Sequence, residues 1–147
     1  MIAFGSDHAG FRAKTELIKY LREKGFECSD YGTLSEDSCD YPDFAVAVSE
    51  SVAKGESEKG VLICGTGIGM SITANKVNGV RCALCCDAFS AEMSRRHNDA
   101  NVLAMGARVT DIEKMKEIAD IFLTTAFEGG RHQNRVDKIT KIEKSRC

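Results

Sequence analysis

The sequence predicts an α/β fold in which helices cover both faces of a parallel sheet. Short apolar segments alternate along the whole chain with segments whose apolar residues recur at helical spacing. This alternation is typical of parallel sheets, because parallel neighbours need a crossover between them. The 147 residues contain no internal repeat, low-complexity tract or linker, which predicts a single domain over 1–147. A chain of this length can bury a core of its own.

The first half of the chain contains three of the predicted strands. The apolar start, 2–5, is the first strand, and a helix over 11–24 follows, with Gly25 as its stop signal. A weaker strand over 26–31 leads into a polar loop and then into a helix over 44–53. The single proline, Pro42, precedes this helix at a place that a first turn tolerates. Residues 60–64, Gly-Val-Leu-Ile-Cys, form the clearest buried strand.

The second half repeats the pattern. A helix over 70–77 is followed by a strand over 80–86, a helix over 88–97, a strand over 101–105 and a helix over 112–127. The tail carries Val136, Ile139 and Ile142 on one face, which predicts a last helix over 131–144. Sites in such folds lie at the carboxyl ends of the strands. That rule selects 7–8, 64–69, Asp87 and 106–108.

Composition excludes several kinds of partner. The net charge is −2, so the chain has no broad attraction for nucleic acid or an anionic membrane surface. No apolar run approaches the roughly 20 residues of a membrane span, and no signal peptide is visible at the start. The seven cysteines are odd in number and follow no export signal, which favours reduced thiols and a cytoplasmic protein.

Three of the cysteines are close together at 82, 85 and 86. A zinc site through Cys82 and Cys85 is one interpretation, but no second ligand pair follows at a suitable spacing. Free thiols that pack as small hydrophobic groups in a buried strand are the better interpretation. We therefore expect no metal here.

The segment 64–69, Cys-Gly-Thr-Gly-Ile-Gly, follows a strand and opens a helix. Its glycines allow backbone N–H groups to approach an anion, and the helix N-terminus adds positive potential. A dinucleotide fingerprint is one interpretation, with Asp87 as the ribose partner. Against it, Met70 stands where a third glycine is required, and the loop follows the third strand and not the first.

The second interpretation depends on Cys64. A thiol at a helix N-terminus has its thiolate favoured. Such a thiolate can take a proton from a carbon beside a carbonyl while neighbouring N–H groups stabilise the enediolate. The alternative is that Cys64 is only the buried end of a strand.

Three further clusters favour a site. Asp7 and His8 end the first strand, although an Asp-His pair can also be a helix cap with a solvated imidazole. His97 lies among polar residues at 94–101, where it can serve as an acid or base near neutral pH or belong to a cationic helix end. Arg131 and Arg135 are four residues apart at a helix start, as suits a phosphate, or a solvated basic face.

Together these segments resemble the type B ribose-5-phosphate isomerases and the wider group that includes galactose-6-phosphate isomerase subunits. The resemblance extends from the first strand to the last helix and is carried, in order, by 5–10, 40–43, 64–71, 74–76, 94–103 and 129–132. It implies a Rossmann-like three-layer sandwich with a five-stranded parallel sheet and a C-terminal helix packed on a partner subunit. It also implies a homodimer or homotetramer with shared active sites and neither metal nor cofactor.

The resemblance implies roles for individual residues. Cys64 would be the base that moves a proton between C2 and C1 of ribose 5-phosphate and ribulose 5-phosphate, and His97 would assist ring opening with Asp7 close by. The other implied substrate contacts are His8, Gly65, Thr66, Gly67, Ile68, Gly69, Asn98, Arg108, Arg131 and Arg135. Thr66 is also placed in the catalytic loop. Arg131 and Arg135, with His8, would hold the phosphate, and the partner chain would supply these arginines.

Two alternatives remain open at the level of the sequence. The substrate could be a six-carbon sugar phosphate, such as allose 6-phosphate or galactose 6-phosphate, because one extra carbon changes pocket depth and not a motif. The chain could instead be a nucleotide-binding regulatory module, which predicts affinity for NAD or a nucleotide and no isomerase activity.

Overall fold

The computed structural model describes residues 1–146, and its five strands form one parallel sheet. The strands are β1 (Ile2–Ser6), β2 (Cys28–Asp30), β3 (Lys59–Cys64), β4 (Cys82–Leu84) and β5 (Val102–Gly106). They are arranged in the order β2-β1-β3-β5-β4. The helices are α1 (Phe11–Glu23), α2 (Tyr41–Ala53), α3 (Ile68–Ala74), α4 (Ala88–Arg96), α5 (Ile112–Thr124) and α6 (Arg131–Lys144). The predicted α/β class with a five-stranded parallel sheet is confirmed.

The register of β3 aligns the carboxyl ends of the three central strands. Ser6 of β1 lies opposite Ile63 of β3, and Cys64 lies opposite Gly106 of β5. The chain builds outward from β1 to β2 on one side and from β3 to β5 on the other. The crevice between the carboxyl ends of β1 and β3 is therefore the topological switch point, where open α/β sheets bind ligands.

Side-chain alternation along the strands divides the core into two layers. Phe4, Ile63 and Met105 pack on one face of the sheet in the layer formed with α1, α4 and α5. Leu62 and Cys64 belong to the opposite layer, formed with α2 and α3. The thiol of Cys64 consequently lies on the same face of the sheet as the helix that begins just after it.

The fourth strand differs from its prediction. Instead of a buried strand over 80–86, β4 has three residues, forms one edge of the sheet and leaves Leu84 exposed. Only Cys85 of the three clustered cysteines is buried, whereas Cys82 is half-buried and Cys86 is exposed. An apolar run resembles a central strand whatever its position, because the place of a strand in the sheet is decided by long-range packing.

The last helix is poorly covered by its own chain. Only His132 and Val136 of its fourteen residues are buried, whereas Ile139 and Ile142 are 46% and 53% exposed. The predicted apolar stripe is therefore present but largely open. No helix within residues 1–146 is long and apolar enough to cross a membrane.

A buried ion pair secures the segment that follows β2. The side chain of Lys14 on α1 is fully buried, ion-pairs with Asp30 and donates a hydrogen bond of 2.7 Å to the carbonyl of Thr33. Asp30 is 28% exposed and also accepts from the N–H of Gly32 at 2.9 Å. Water therefore solvates the carboxylate in part but not the ammonium group.

This asymmetry predicts unequal costs for breaking the pair. Asp30→Asn leaves the Lys14 ammonium buried without an anion and should lower the free energy of unfolding by about 3 kcal/mol. Lys14→Met leaves a carboxylate that water can reach and should cost only about 1–2 kcal/mol. Glu50→Gln, in the exposed Lys54–Glu50 pair, is the control and should cost less than about 0.5 kcal/mol. Urea unfolding measures all three, and a larger loss for Lys14→Met than for Asp30→Asn would show that the buried ammonium is not the costlier group to leave unpaired.

Candidate active site

The switch point brings together two of the sequence-predicted segments. Asp7 and His8 follow β1, beside the end of β3, and the N–H of Asp7 donates to the carbonyl of Ile63 at 3.3 Å. The buried Asp7 carboxylate accepts from the N–H of Gly10 at 3.1 Å. Nδ1 of His8 accepts from the N–H of Cys39 at 3.3 Å, which leaves Nε2 to carry the proton. A donor is thus held at the edge of the crevice.

The glycine loop begins at the thiol. The N–H of Gly67 points at Sγ of Cys64, with the nitrogen and the sulfur 3.1 Å apart. Gly67 has a φ of 80°, in the left-handed region, and α3 begins at the next residue. Oγ1 of Thr66 accepts from the N–H of Ile68 at 3.2 Å, and the Thr66 side chain is exposed. The loop therefore presents a thiol, a hydroxyl and a helix N-terminus at one place.

Close packing holds this loop in position. A Cβ atom at Gly106 would lie 2.5 Å from the carbonyl carbon of Thr66, so only glycine allows β5 to approach the loop so closely. The N–H groups of Ala107 and Arg108 donate to the carbonyls of Cys64 and Gly65 at 2.8 and 3.0 Å. The turn after β5 thereby ties the loop down.

Two side chains form walls around the loop. The ring of Tyr41 lies against Gly69, where an added Cβ would be 2.5 Å from Cζ of the ring. The guanidinium of Arg108 lies over Gly65, 3.2 Å from where a Cβ would stand. Tyr41 was not among the predicted site residues. The sequence gave no signal for it, because its approach to Gly69 depends on how α2 packs on α3.

The arrangement can support proton transfer at carbon. Cys64 is buried, with 5% of the residue exposed, and a backbone donor is already aimed at its sulfur. Preorganised donors of this kind stabilise charge that develops in a transition state. A small carbonyl compound in the crevice would meet a sulfur base and N–H donors on the same side.

The remaining predicted residues lie near the amino ends of the strands, opposite the end that carries Cys64. His97 caps the end of α4, just before β5 begins at Val102, and Val102 pairs with Gly60 at the start of β3. The far end of β5, Gly106, pairs with Cys64. Val102 and Gly106 are four residues apart, which is about 13 Å along a strand. The expectation that His97 lies close to Asp7 is therefore not met within one chain.

The loop after His97 has a structural half and an open half. Asp99 adopts a φ of 46° and ion-pairs with Arg95 at 2.9 Å and with Arg81 at 3.1 Å. Its role is to hold the loop. Asn98 is exposed and lines an open groove together with Ile139 and Ile142 of α6. Among the polar residues at 94–101, Asn98 is thus exposed, whereas His97 is half-buried.

The start of α6 lies beside His97. Arg131 and Arg135 are exposed on this helix, four residues apart, as predicted. Between them His132 is buried, and its ring stacks on that of His97 with centroids 4.2 Å apart and planes inclined by 10°. Sequence reasoning missed His132, because the pattern gives no sign that the ends of α4 and α6 meet.

A carboxylate completes this cluster. Nε2 of His132 is 3.5 Å from Oε2 of Glu128, and donor atoms of His97, Glu128 and His132 all lie within 4.8 Å of one another. Glu128 also ion-pairs with Arg96 at 2.5 Å. Burial, followed by the nearby His97 and Arg131, lowers the pKa of His132 below its usual 6.5, so its ring is neutral at neutral pH.

The dinucleotide interpretation loses its ribose partner. Asp87 caps α4, and its carboxylate accepts from the N–H of Ser90 at 2.7 Å and from the Ser90 hydroxyl at 3.1 Å. These bonds lower the pKa of Asp87. In the sheet, β5 lies between β4 and β3, so the strand before Asp87 does not pair with the strand that leads into the glycine loop. Met70 is fully buried in the core, where the fingerprint requires a glycine.

Two of the clustered cysteines, Cys82 and Cys85, are held as thiols. Burial raises the pKa of Cys82 to about 12 and that of Cys85 to about 11, so both remain thiols at neutral pH. Within residues 1–146, the three-residue group with suitable metal donors contains no cysteine. For Cys82 and Cys85 the interpretation as small packing groups is thus favoured over the zinc site, whereas Cys86 is exposed.

The fold and the site define a class: an α/β protein whose switch point carries a thiol and a glycine loop suited to proton transfer on a small anionic ligand. Comparisons with known proteins agree with this. The family model described as Ribose/Galactose Isomerase matches residues 2–139. The ribose-5-phosphate isomerase B of Escherichia coli is 52% identical over 145 residues, covering 99% of this chain and 97% of that protein. The chain belongs to the ribose/galactose isomerase family.

Solved structures support the same conclusion. The ribose-5-phosphate isomerase B of Clostridium thermocellum superimposes with a TM-score of 0.98 at 49% identity, with 99% of each chain covered. The Mycoplasma genitalium ribose-5-phosphate isomerase B, solved with bound ribulose-5-phosphate, has a TM-score of 0.94 at 42% identity, covering 97% of this chain and 95% of that one. The relationship therefore extends over the whole fold.

The packing of the loop makes a prediction about Gly67. An alanine Cβ there would lie 2.8 Å from the backbone carbon of Met105, in addition to requiring a left-handed φ. Gly67→Ala should lower the free energy of unfolding by about 3 kcal/mol. Gly55 is a matched control, because it has a φ of 75° but nothing within 4 Å of a Cβ. Gly55→Ala should cost about 1 kcal/mol. Equal losses in chemical denaturation would show that the contact with β5 is unimportant.

Proposed function

We propose that the protein is an aldose–ketose isomerase that interconverts ribose 5-phosphate and ribulose 5-phosphate through an enediolate. The observation that carries the proposal is the thiol of Cys64, which ends β3 at the switch point with the N–H of Gly67 aimed at its sulfur. Membership in the ribose/galactose isomerase family supports the substrate class.

Cys64 is the base in this proposal. Its thiolate takes the proton from C2 of the open-chain aldose, and the electron pair forms the C1–C2 double bond of the enediolate. The thiol then returns the proton to C1, while the hydroxyl proton leaves O2 and O1 gains one. The N–H groups of Gly65 and Gly69 and the Thr66 hydroxyl stabilise the oxygens where negative charge develops. The N–H groups of Gly67 and Ile68 are already donated to Sγ of Cys64 and Oγ1 of Thr66, and they hold the thiol and the hydroxyl in place. Asp7, held by the N–H of Gly10, orients a substrate hydroxyl.

The phosphate and the sugar ring are handled by the other group of residues. Arg131 and Arg135 present two guanidinium groups on one face of α6. His8 and Arg108 add donors from the carboxyl ends of the strands. His97 is the acid–base group that opens the furanose ring, and Asn98 beside it contacts a sugar hydroxyl. An imidazole can both donate and accept a proton, so it can move one between the ring oxygen and O1 of the sugar.

The two groups act together only across a subunit interface. In one chain, Cys64 lies at the carboxyl ends of the strands and His97 near their amino ends, so neither set of residues alone is a complete site. We propose a two-fold dimer, alone or as half of a tetramer, in which the surface around Cys64 of one chain meets the surface around His97 of its partner. The half-exposed Ile139 and Ile142 on α6, and Ile68 and Ile72 on α3, provide apolar surface for this contact.

A substrate panel tests the reaction itself. The protein should convert ribose 5-phosphate with a higher kcat/KM than allose 6-phosphate or galactose 6-phosphate, and Cys64→Ser should lose at least about a thousandfold in kcat. A coupled assay on each sugar measures this. A preference for a hexose phosphate would overturn the pentose assignment. Saturable micromolar binding of NAD without isomerase activity would instead favour a nucleotide-binding module.

A mixing experiment tests the shared site. Cys64→Ala and His97→Asn should each be inactive, whereas a heterodimer of the two contains one site with both wild-type residues. Random reassociation should therefore restore about a quarter of the wild-type activity per chain. Each variant, dissociated and reassociated alone, is the control. Failure of the mixture to gain activity, with heterodimers verified by mass spectrometry, would show that each chain builds its own site.

A further inference from the structure

The proposed mechanism uses His97 but does not explain what holds its ring. His97 is half-buried and is the C-cap of α4, directly after the last helical residue, Arg96. Within the part of the chain that the structure describes, its ring makes no side-chain hydrogen bond. The contact that restrains it is the stack on His132, with ring centroids 4.2 Å apart and planes inclined by 10°.

His132 is itself fixed on its far side. It is 7% exposed in the first turn of α6, and its Nε2 is 3.5 Å from Oε2 of Glu128. Glu128 is fixed in turn by Arg96. The Arg96 guanidinium ion-pairs with its carboxylate, and the Arg96 backbone carbonyl accepts a hydrogen bond of 3.1 Å from its N–H. Arg96 also ion-pairs with Glu92 at 2.8 Å. The imidazole of His132 therefore has a defined place relative to α4, the helix that carries His97.

A metal site is the other interpretation of this cluster, and the geometry disfavours it. Imidazole lone pairs lie in the ring plane, so two nearly parallel stacked rings direct their lone pairs side by side and not towards one point. The carboxylate of Glu128 already neutralises Arg96. Arg131 and Arg135 add positive charge to the same turn of α6, which opposes a cation.

We propose that His132 is a positioning residue, whose flat ring sets the plane of His97 for opening the sugar ring. The inference rests on the proposed role of His97. A stacked aromatic neighbour restricts rotation of the imidazole about its bond to Cβ without taking either ring nitrogen. Both nitrogens of His97 remain available to the substrate.

The test separates ring opening from proton transfer at carbon. Ribose 5-phosphate is mostly cyclic and must be opened, whereas ribulose 5-phosphate cannot close on O5, because that oxygen carries the phosphate. Exchange of the C1 hydrogen of ribulose 5-phosphate with deuterium from D₂O, followed by NMR, therefore reports on Cys64 without ring opening. The conversion of ribose 5-phosphate to ribulose 5-phosphate reports on both steps.

Replacing His132 should affect only one of these readouts. His132→Ala should lower kcat/KM for ribose 5-phosphate at least about tenfold and leave the exchange rate within about twofold of wild type. His132→Phe, which keeps a flat ring, should return the aldose reaction to within about threefold of wild type. Gln133→Ala, on the exposed side of the same turn, should change neither rate. Melting curves and oligomeric state are compared for every variant.

The outcomes distinguish this inference from the proposed function. Equal losses of both rates in His132→Ala would show a merely structural role, and unchanged rates would show no role. A selective loss that His132→Phe does not rescue would overturn stacking as the cause. His97→Asn should lose the aldose reaction and keep the exchange. If His97→Asn does not show this selective loss, the proposed role of His97 fails. If His97→Asn shows it but His132→Ala keeps both rates, only the inference about His132 is overturned.

Discussion

The structure depends on the parallel register of β3 between β1 and β5. Because Ile63 lies opposite Ser6 and Cys64 lies opposite Gly106, three strands end at the same level. A shift of one residue would move Cys64 to the other face of the sheet, away from the start of α3. Gly106 allows the register to persist into the loops, since any Cβ there would collide with the backbone of Thr66. The position of the sulfur therefore follows from backbone pairing and not from a flexible side chain.

Sequence patterns predicted the parts of the site that local chemistry determines. The loop 64–69 follows a continuous apolar strand and consists of glycines at a helix start, so its place and its backbone donors could be inferred from the residues alone. Element boundaries were less certain: α2 begins at Tyr41 and not at residue 44, and α5 ends at Thr124 and not at 127. Proline is compatible with a first helical turn but does not fix where the turn begins.

What the sequence could not supply depends on contacts between distant segments. The edge position of β4, the approach of Tyr41 to Gly69 and the stack of His132 on His97 each join elements that are far apart in the chain. The rule that sites lie at the carboxyl ends of the strands likewise selected that end of the sheet, whereas His97 lies near the amino ends. Residue types nominated both groups as candidate site residues, but only the topology shows that one chain separates them.

In the proposed dimer, the placement of these two groups at opposite ends of the strands would make catalysis subject to mass action. If a complete site needs both ends, an isolated chain has no activity, and activity per chain falls on dilution as the dimer dissociates. A sugar phosphate that contacts Gly67 of one chain and Arg131 of its partner binds the dimer and not the monomer. Substrate then strengthens subunit association by the same factor by which association strengthens substrate binding. Cellular concentration and substrate supply would together set how much of the protein is assembled.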